Sequence, residues 1–324
     1  VCDRTFGRDG AFDDGIRFYR DYRQLLTEKL DVLVVCMTND IAADVTIAGL
    51  EATVMMAEGA LGSARRLAPR ERLIVEIDGG MVHIDAGWHE VKLGVFFPER
   101  DLVEVSQRRR EVLHRRVVAT RGDREELGGL LLNAVAEFLP LDADGAPIIA
   151  GNVVVLSDGA PWIRNLVDEH LPGATVILDW YHVIEHVHAA AKVYIANDAA
   201  RQRWVSQQKT MLADGRVGTM LASLAGAVAR QSEHADARKA LADLHRYLND
   251  RRDALGYYEA RLTGLCIGSG VAESAIKNTL QQRMKLPGMR WGAHGSDAMI
   301  ALRCAYRSHG GLDVTLAAMN RDAA

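Results

Sequence analysis

The stretch over residues 151–188, GNVVVLSDGAPWIRNLVDEHLPGATVILDWYHVIEHVH, constrains the fold more than any other. A short β-branched run ends at Asp158, and Pro161 follows at a position that suits the first turn of a helix. After a Pro-Gly break, a second apolar run over residues 174–178 ends at Asp179. We therefore predict two parallel strands joined by a helix, with both aspartates at the carboxyl ends of adjacent strands. Asp158 is well placed there for a metal ion, or it braces the turn before the helix.

Composition and charge restrict the class of protein. Charged residues make up 25% and hydrophobic residues 48% of the chain, which is typical of globular proteins. No apolar run reaches the roughly 18 residues of a membrane helix, so we expect a soluble, cytoplasmic protein without a membrane partner. The net charge of -4 is no overall signature of nucleic-acid binding, so local clusters would have to provide it.

Two further features concern the cellular setting and the chain start. The four cysteines form no CxxC pair, which favours reduced thiols over a zinc site or a disulfide framework. They are Cys2, Cys36, Cys266 and Cys304. Because the chain begins at Val1 without an initiator methionine or a signal peptide, we expect upstream sequence to be missing.

The remaining patterns divide the chain into four parts. The first is mostly helical and of unclear role, the second and fourth form a catalytic core, and the third is an all-helical insertion without proline. These parts are residues 1–70, 71–182, 183–262 and 263–324. In the first part we expect helices over 15–30 and 41–67 and an apolar run over 32–37, with Asp40 as a minor competitor for the site.

The order of elements indicates the fold class. The core is predicted to contain three β elements, a helix, the strand–helix–strand unit, the insertion and a last helix over 271–286. This layout is that of an α/β, ribonuclease H-like mixed sheet flanked by helices, which is an argument by analogy. The β elements are expected over 73–84, 90–97 and 113–119, and the first helix over 122–139. The arginine-rich segment over 106–116 is either a solvated strand edge or a DNA contact.

Three acids are expected to converge in this layout. Asp78 lies at the centre of the first strand, Asp158 at the end of the fourth, and Glu273 on the last helix. Three carboxylates suit Mg²⁺, which prefers oxygen ligands and the phosphates of a substrate. Each acid also has a structural interpretation, because Asp78 begins an Asp-Gly-Gly hairpin signal and Glu273 occupies the first turn of a helix.

Several long motifs resemble the DDE transposases of bacterial insertion sequences, in the Kra-type branch. The resemblance covers roughly residues 72–310. The motifs are EIDGGMVH (76–83), GWHEVKLGVFF (87–97), LSDGAPWIRNL (156–166), LDWYHVIEHVH (178–188) and IGSGVAESAIKNTLQQRMKLPGMRW (267–291).

The resemblance implies a transposase that cuts and rejoins DNA at the ends of its own element. Its catalytic and metal-binding triad falls on Asp78, Asp158 and Glu273, with two Mg²⁺ ions that Mn²⁺ can replace. Asp179 and His182 match a supporting D-x-x-H pair, for which capping of a helix by Asp179 is the alternative. The expected partners are the DNA of element ends and target, and a second copy of the chain in a DNA-bound oligomer near the nucleoid.

Basic residues concentrate in the tail over 263–310, where six cations face two acids. Such a patch neutralises phosphates, and cations interleaved with an aromatic suit a surface that follows a strand and stacks a base. The residues predicted to bind DNA are Arg283, Lys285, Arg290 and Trp291. A turn with Trp291 in the core is the alternative.

Two other functions remain open at this level. One is a ribonuclease H-like nuclease or resolvase that cuts without joining strands. The other is a domesticated transposase derivative that only binds DNA, which the intact acids disfavour.

Overall fold

The computed structural model describes residues 10–11, 17–18, 66–85, 87–106, 109–231 and 233–308. The apolar run over 32–37, Asp40 and nearly all of the predicted helices over 15–30 and 41–67 lie outside these ranges. Where the 15–30 segment is described, Arg17–Phe18 is a strand paired with Gly10–Ala11, so the helix prediction is wrong at these positions. Residues 66–67 are not helical either.

A five-stranded mixed sheet forms the centre of the molecule, in the order β7-β4-β3-β8-β9. The β3 strand is antiparallel to β4 and parallel to β8, which is parallel to β9. The strands are β1 (Gly10–Ala11), β2 (Arg17–Phe18), β3 (Leu73–Ile84), β4 (Gly87–Pro98), β5 (Leu102–Ser106), β6 (Arg109–Val112), β7 (Arg116–Thr120), β8 (Val153–Ser157) and β9 (Thr175–Leu178).

Helices cover the sheet and form the insertion. They are α1 (Arg124–Ala136), α2 (Pro161–His170), α3 (Trp180–Tyr194), α4 (Asp198–Ala213), α5 (Val217–Arg230), α6 (Ala235–Asn249), α7 (Tyr257–Leu262), α8 (Gly270–Ala275), α9 (Gln282–Met284) and α10 (Ala293–Arg307). A π-helix over Ile276–Gln281 joins α8 to α9, and short 3₁₀ turns occupy Glu99–Asp101 and Arg252–Ala254.

Apolar side chains on the two faces of the sheet form three clusters. One face of β3 and β8 packs on α1 and α2, through residues such as Val75 and Leu131. The other face packs on the insertion helices α3 to α7, and its far end packs on α8, the π-helix and α10. Within the described residues, no helix is both long and apolar enough to cross a membrane.

The predicted fold class is confirmed, including the all-helical insertion between β9 and α8. The strand–helix–strand unit follows its sequence signals closely, since Pro161 is the first residue of α2. The alternative interpretation of Asp78-Gly79-Gly80 as a hairpin turn is wrong, because β3 continues through these residues and Asp78 pairs with Leu93.

Other boundaries required the tertiary structure. The third β element is shorter than predicted and begins at Arg116, whereas Arg109–Val112 pairs with β5 as a separate two-stranded ribbon. This pairing agrees with the strand-edge interpretation of the arginine-rich segment. The predicted helix over 271–286 is α8, the π-helix and α9, and the later helix α10 was not predicted from the sequence.

Candidate active site

The strand register aligns three aspartates at one edge of the sheet. Ile77 of β3 pairs with Ser157 of β8, which pairs with Leu178 of β9. The next residue on each strand is an aspartate, namely Asp78, Asp158 and Asp179. Because adjacent strands lie roughly 4.8 Å apart, the backbones of neighbouring aspartates are close at this edge.

The charges of Asp158 and Glu273 both act on the carboxyl of Asp78. Burial is the main factor that raises the pKa of the half-buried Asp78 carboxyl, and the charges of Asp158 and Glu273 raise it further. A hydrogen bond from the Gly79 amide (2.7 Å) and the nearby His182 act in the opposite direction. The carboxylates of Asp158 and Glu273 therefore lie within electrostatic range of Asp78.

The three carboxylates do not form a closed ligand set in this arrangement. Within the described ranges, no group of three or more His, Cys, Asp or Glu side chains is placed to hold a metal ion. Backbone amides engage one oxygen of each aspartate, since Asp78 Oδ1 accepts from Gly79 and Asp158 Oδ1 accepts from Ala160 at 2.8 Å. The type of ligand nevertheless suits a hard cation, because the candidate ligand atoms of Asp78, Asp158 and Glu273 are all carboxylate oxygens.

Glu273 reaches the site from the first turn of α8. Its side chain is exposed and makes no hydrogen bond or ion pair with any part of the chain that the structure describes. The helix it belongs to is short, and its N-cap residue Ser269 makes no side-chain capping bond. The position of Glu273 therefore depends on what holds the start of α8.

Asp179 holds that start. Its carboxylate is buried, and Oδ1 accepts hydrogen bonds from the amides of Tyr181 and His182 at the N-terminus of α3. The other oxygen accepts from the Ser269 amide at 2.8 Å and from the Ser269 hydroxyl. Asp179 is thus a helix cap that ties α3 to the segment before α8, in agreement with the capping interpretation.

His182 occupies the first turn of α3, beside the acids. Its ring is about half exposed and lies 3.6 Å from Glu185, measured from Nδ1 to Oε2. The ring is close enough to the acids for its charge to act on the Asp78 carboxyl. It can donate a hydrogen bond to a group bound there.

Glu76 is a functional candidate that the sequence reasoning missed. Its carboxyl is fully buried two residues before Asp78, on the same face of β3, and Oε2 accepts from the Ala272 amide at 2.8 Å. Its other oxygen has no partner among the described residues. Burial raises its pKa to about 8, and the charges of Asp179 and Asp78 also raise it. The signal available in the sequence was a single acid inside the apolar run LIVEI.

The insertion holds the loop that follows Asp158. The Tyr247 hydroxyl donates to the Asp158 carbonyl (3.3 Å), and Arg251 Nε donates to the Gly159 carbonyl (3.0 Å). Gly159 has a φ of +82°, and a Cβ atom there would lie 2.4 Å from Leu178 Cδ1 and 2.8 Å from Arg251 Nε. Only glycine fits this turn, because both the backbone conformation and the close approach exclude a side chain.

An aromatic column supports these two contacts. The His186 ring stacks on Tyr247 with centroids 4.0 Å apart, and the Arg251 guanidinium lies 4.5 Å from the centroid of the same ring. Burial lowers the pKa of His186, and the charges of His182 and Arg251 lower it further. The insertion therefore adjoins the site through its helices α3 and α6.

The predicted DNA-binding residues have different surroundings. Trp291 is only 2% exposed and donates from Nε1 to the Met284 carbonyl, so the prediction that its ring stacks on a base is wrong. The guanidinium of Arg283 lies 5.5 Å from the Trp291 centroid, and Arg290 is exposed. Lys285 lies 5.5 Å from the ring of Trp88, which is 56% exposed.

Other cations of the basic tail serve the fold. Arg303 donates to the carbonyls of Asn278 and Thr279, and Arg307 also donates to Asn278. These carbonyls belong to the π-helix, where the wider backbone turn leaves acceptors for α10 to use. The two arginines therefore stabilise the segment that follows Glu273.

Comparison with known proteins places this site within a family. A comparison with curated proteins finds no match. Residues 76–320 match the family described as "Uncharacterised protein family (UPF0236)", and this range includes Glu76, all three predicted acids and the insertion. Because the match covers well over half of the 324 residues, the chain belongs to the family UPF0236.

Proposed function

We propose that this protein is a DNA transposase that cuts and rejoins DNA at the ends of an insertion sequence. The observation that supports the proposal is the strand register, which sets Asp78 and Asp158 side by side at one edge of the sheet, where the charges of Asp158 and Glu273 both act on Asp78. The resemblance of the surrounding motifs to bacterial DDE transposases supports it. Fold alone would not, because one fold serves many functions.

The carboxylates of Asp78, Asp158 and Glu273 would hold Mg²⁺. Burial is the main cause of the raised pKa of Asp78, and the charges of Asp158 and Glu273 add to it. Such repulsion between carboxylates is the kind of interaction that a divalent cation relieves. When bound, such ions would activate the attacking oxygen and stabilise the leaving oxygen of an in-line phosphoryl transfer. In the arrangement described above, the three carboxylates do not form a closed ligand set.

The remaining residues of the site position these acids and the substrate. Asp179 and Glu76 hold the start of α8, and Tyr247 and Arg251 hold the Asp158 loop. His182 would donate a hydrogen bond to a phosphate oxygen of the DNA strand. Arg290 and Lys285, which are exposed, would neutralise phosphates farther along the same DNA.

Substitution of Glu273 by Gln tests the proposal. The change keeps the size of the side chain and removes the charge that attracts a hard cation, so cleavage of an element-end duplex should be abolished. Cutting and strand joining should be measured separately with Mg²⁺ and with Mn²⁺, beside DNA binding and a thermal melt. The matched control is Glu233→Gln, which neutralises an exposed glutamate between α5 and α6.

Two results would contradict the proposal. Near-normal cutting by folded Glu273→Gln protein would exclude Glu273 as the third acid. If that protein also lost only about 0.3–1 kcal/mol of stability, the role of Glu273 would be to complement the helix dipole. Cutting by the wild type without any strand joining would identify a nuclease instead.

A further inference from the structure

The hairpin of β3 and β4 extends beyond the rest of the sheet. The β8 strand pairs with β3 only as far as Ile77, and β7 pairs with β4 only over Lys92–Phe96. Within the described strands, residues 80–84 and 87–91 therefore pair only with each other. They form a two-stranded arm that starts two residues after Asp78.

The two faces of this arm differ. One face is buried against the π-helix, α9 and Trp291, through Val82, Ile84 and Val91. The other face exposes two large apolar side chains, since Met81 is 42% and Trp88 is 56% exposed. The Trp88 and His83 rings are nearly perpendicular, at 79°, with centroids 5.5 Å apart.

Cations border the exposed ring. The Lys285 ammonium lies over one face of the Trp88 ring, 5.5 Å from its centroid, which leaves the opposite face as the one that a base would stack on. The backbone of Trp291 is joined to the arm, because its carbonyl accepts from Asp85 at 2.7 Å and its amide donates to His83, which places exposed Arg290 beside the tip. The nearby Glu90 is paired with Lys92 at 3.6 Å.

From this juxtaposition we infer that the exposed face of the β3–β4 arm binds an unpaired base of a DNA strand, with Trp88 as the stacking surface. Lys285 and Arg290 contact the phosphates on either side of that base. An aromatic face bordered by cations suits a single strand because every base has a π-face and every phosphate a negative charge. Met81 is the type of side chain that some DNA-binding proteins insert between base steps.

The inference rests on the proposed function and specifies the DNA structure that it requires. His83, the partner of Trp88, lies five positions after Asp78, which corresponds to about 17 Å along the strand. At 3.4 Å per base pair this distance is about five base pairs of duplex. By strand alternation Trp88 and Asp78 point to opposite faces of the arm, so the stacked base belongs to a strand that leaves the duplex and passes around the tip.

The test measures binding of the full-length chain to a labelled single-stranded oligonucleotide and to the duplex of the same sequence. Trp88→Ala should weaken single-strand binding about 5- to 150-fold, as expected for the loss of one stacked base, and should change duplex binding much less. Trp88→Phe keeps a ring and should retain most of the affinity, whereas Trp88→Leu keeps only apolar area and should not. Lys285→Ala should lower the slope of log affinity against log salt concentration by about 1, as expected for the loss of one phosphate contact.

The outcomes separate this inference from the proposed function. Unchanged single-strand affinity in folded Trp88→Ala protein, or an equal loss for single strand and duplex, would overturn the inference even if cleavage is normal. A sedimentation change in the DNA-free Trp88→Ala protein would do so too, because the occupant would then be a second copy of the chain. Ring-dependent single-strand binding without any cleavage would support the inference while the proposed function fails.

Discussion

Asp158 and Glu273 reach the same site, yet the structure holds them in different ways. Asp158 follows a fully buried strand, and the insertion binds the backbone of its loop through Tyr247 and Arg251. Glu273 belongs to a six-residue helix that is held at its start by two buried acids, Asp179 and Glu76, and that continues into a π-helix. The buried acids that fix the geometry are thus different from the acids of the candidate site.

This difference separates the roles of the two regions. The insertion should control the Asp158 loop, and the buried acids should control the Glu273 helix. Substitutions in one region should leave the other acid in place.

The largest effect is expected from Asp179→Ala. The change removes a buried carboxylate that accepts hydrogen bonds from Ser269, Tyr181 and His182, so the free energy of unfolding should fall by about 3 kcal/mol. The control is Asp123→Ala at the exposed N-cap of α1, which loses one bond from Glu126 and should cost about 1 kcal/mol. Urea unfolding measures both. If the two variants lost equal amounts of unfolding free energy, Asp179 would act only as a helix cap and would not tie α3 to the segment before α8.

A pH-dependent effect of similar size is expected from Glu76→Gln. Because the folded-state pKa is raised to about 8, folded protein keeps a proton that unfolded protein releases, and the stability from Glu76 is lost as the pH rises from about 4.5 through about 8. Gln has no such titration, so the variant should lose less stability than the wild type between these limits. At about 1.36 kcal/mol per pKa unit, the difference should amount to a few kcal/mol.

The measurement for Glu76 is urea unfolding at several pH values without added divalent ions. Parallel pH profiles for the wild type and Glu76→Gln would contradict the expectation. They would mean that Glu76 is ionised in the folded protein and that its unpartnered oxygen has found a compensating charge.

The sequence predicted what depends on local pattern. Strand, helix and turn signals around Asp158 and Asp179 are short-range, and parallel register then places both residues at one edge. The convergence of Asp78 with Asp158 followed from the same topology. The helical insertion was evident from its Ala- and Leu-rich composition and its lack of proline.

What the sequence did not reveal depends on contacts between distant residues. The bond between Glu76 and Ala272 spans 196 positions, and that between Tyr247 and Asp158 spans 89. Trp291 lies among cations in the sequence, but a bridge to Ile84 draws it into the core, and Trp88 is the aromatic left exposed. Local composition could not distinguish these two tryptophans, because tertiary pairing decides which one is buried.

The smallest expected effect is the most direct test of whether Asp158 and Glu273 are supported independently. Tyr247→Phe deletes only the hydroxyl that donates to the Asp158 carbonyl and keeps the ring that contacts His186 and Arg251, so stability should fall by about 0.5–1 kcal/mol. Amide hydrogen exchange should become faster over residues 158–160 and stay unchanged over 270–275. If the protein cuts DNA, the rate should fall by roughly ten-fold or more, since small displacements of a reacting group are costly.

The matched control for Tyr247 is Tyr194→Phe in α3, whose hydroxyl makes no hydrogen bond within the described residues and whose ring contacts Trp204. It should leave exchange at both segments unchanged. Faster exchange over 270–275 in Tyr247→Phe would mean that the two supports are coupled through α3, which carries His186 and begins at the Asp179 cap. The insertion and the buried acids would then support Asp158 and Glu273 jointly rather than independently.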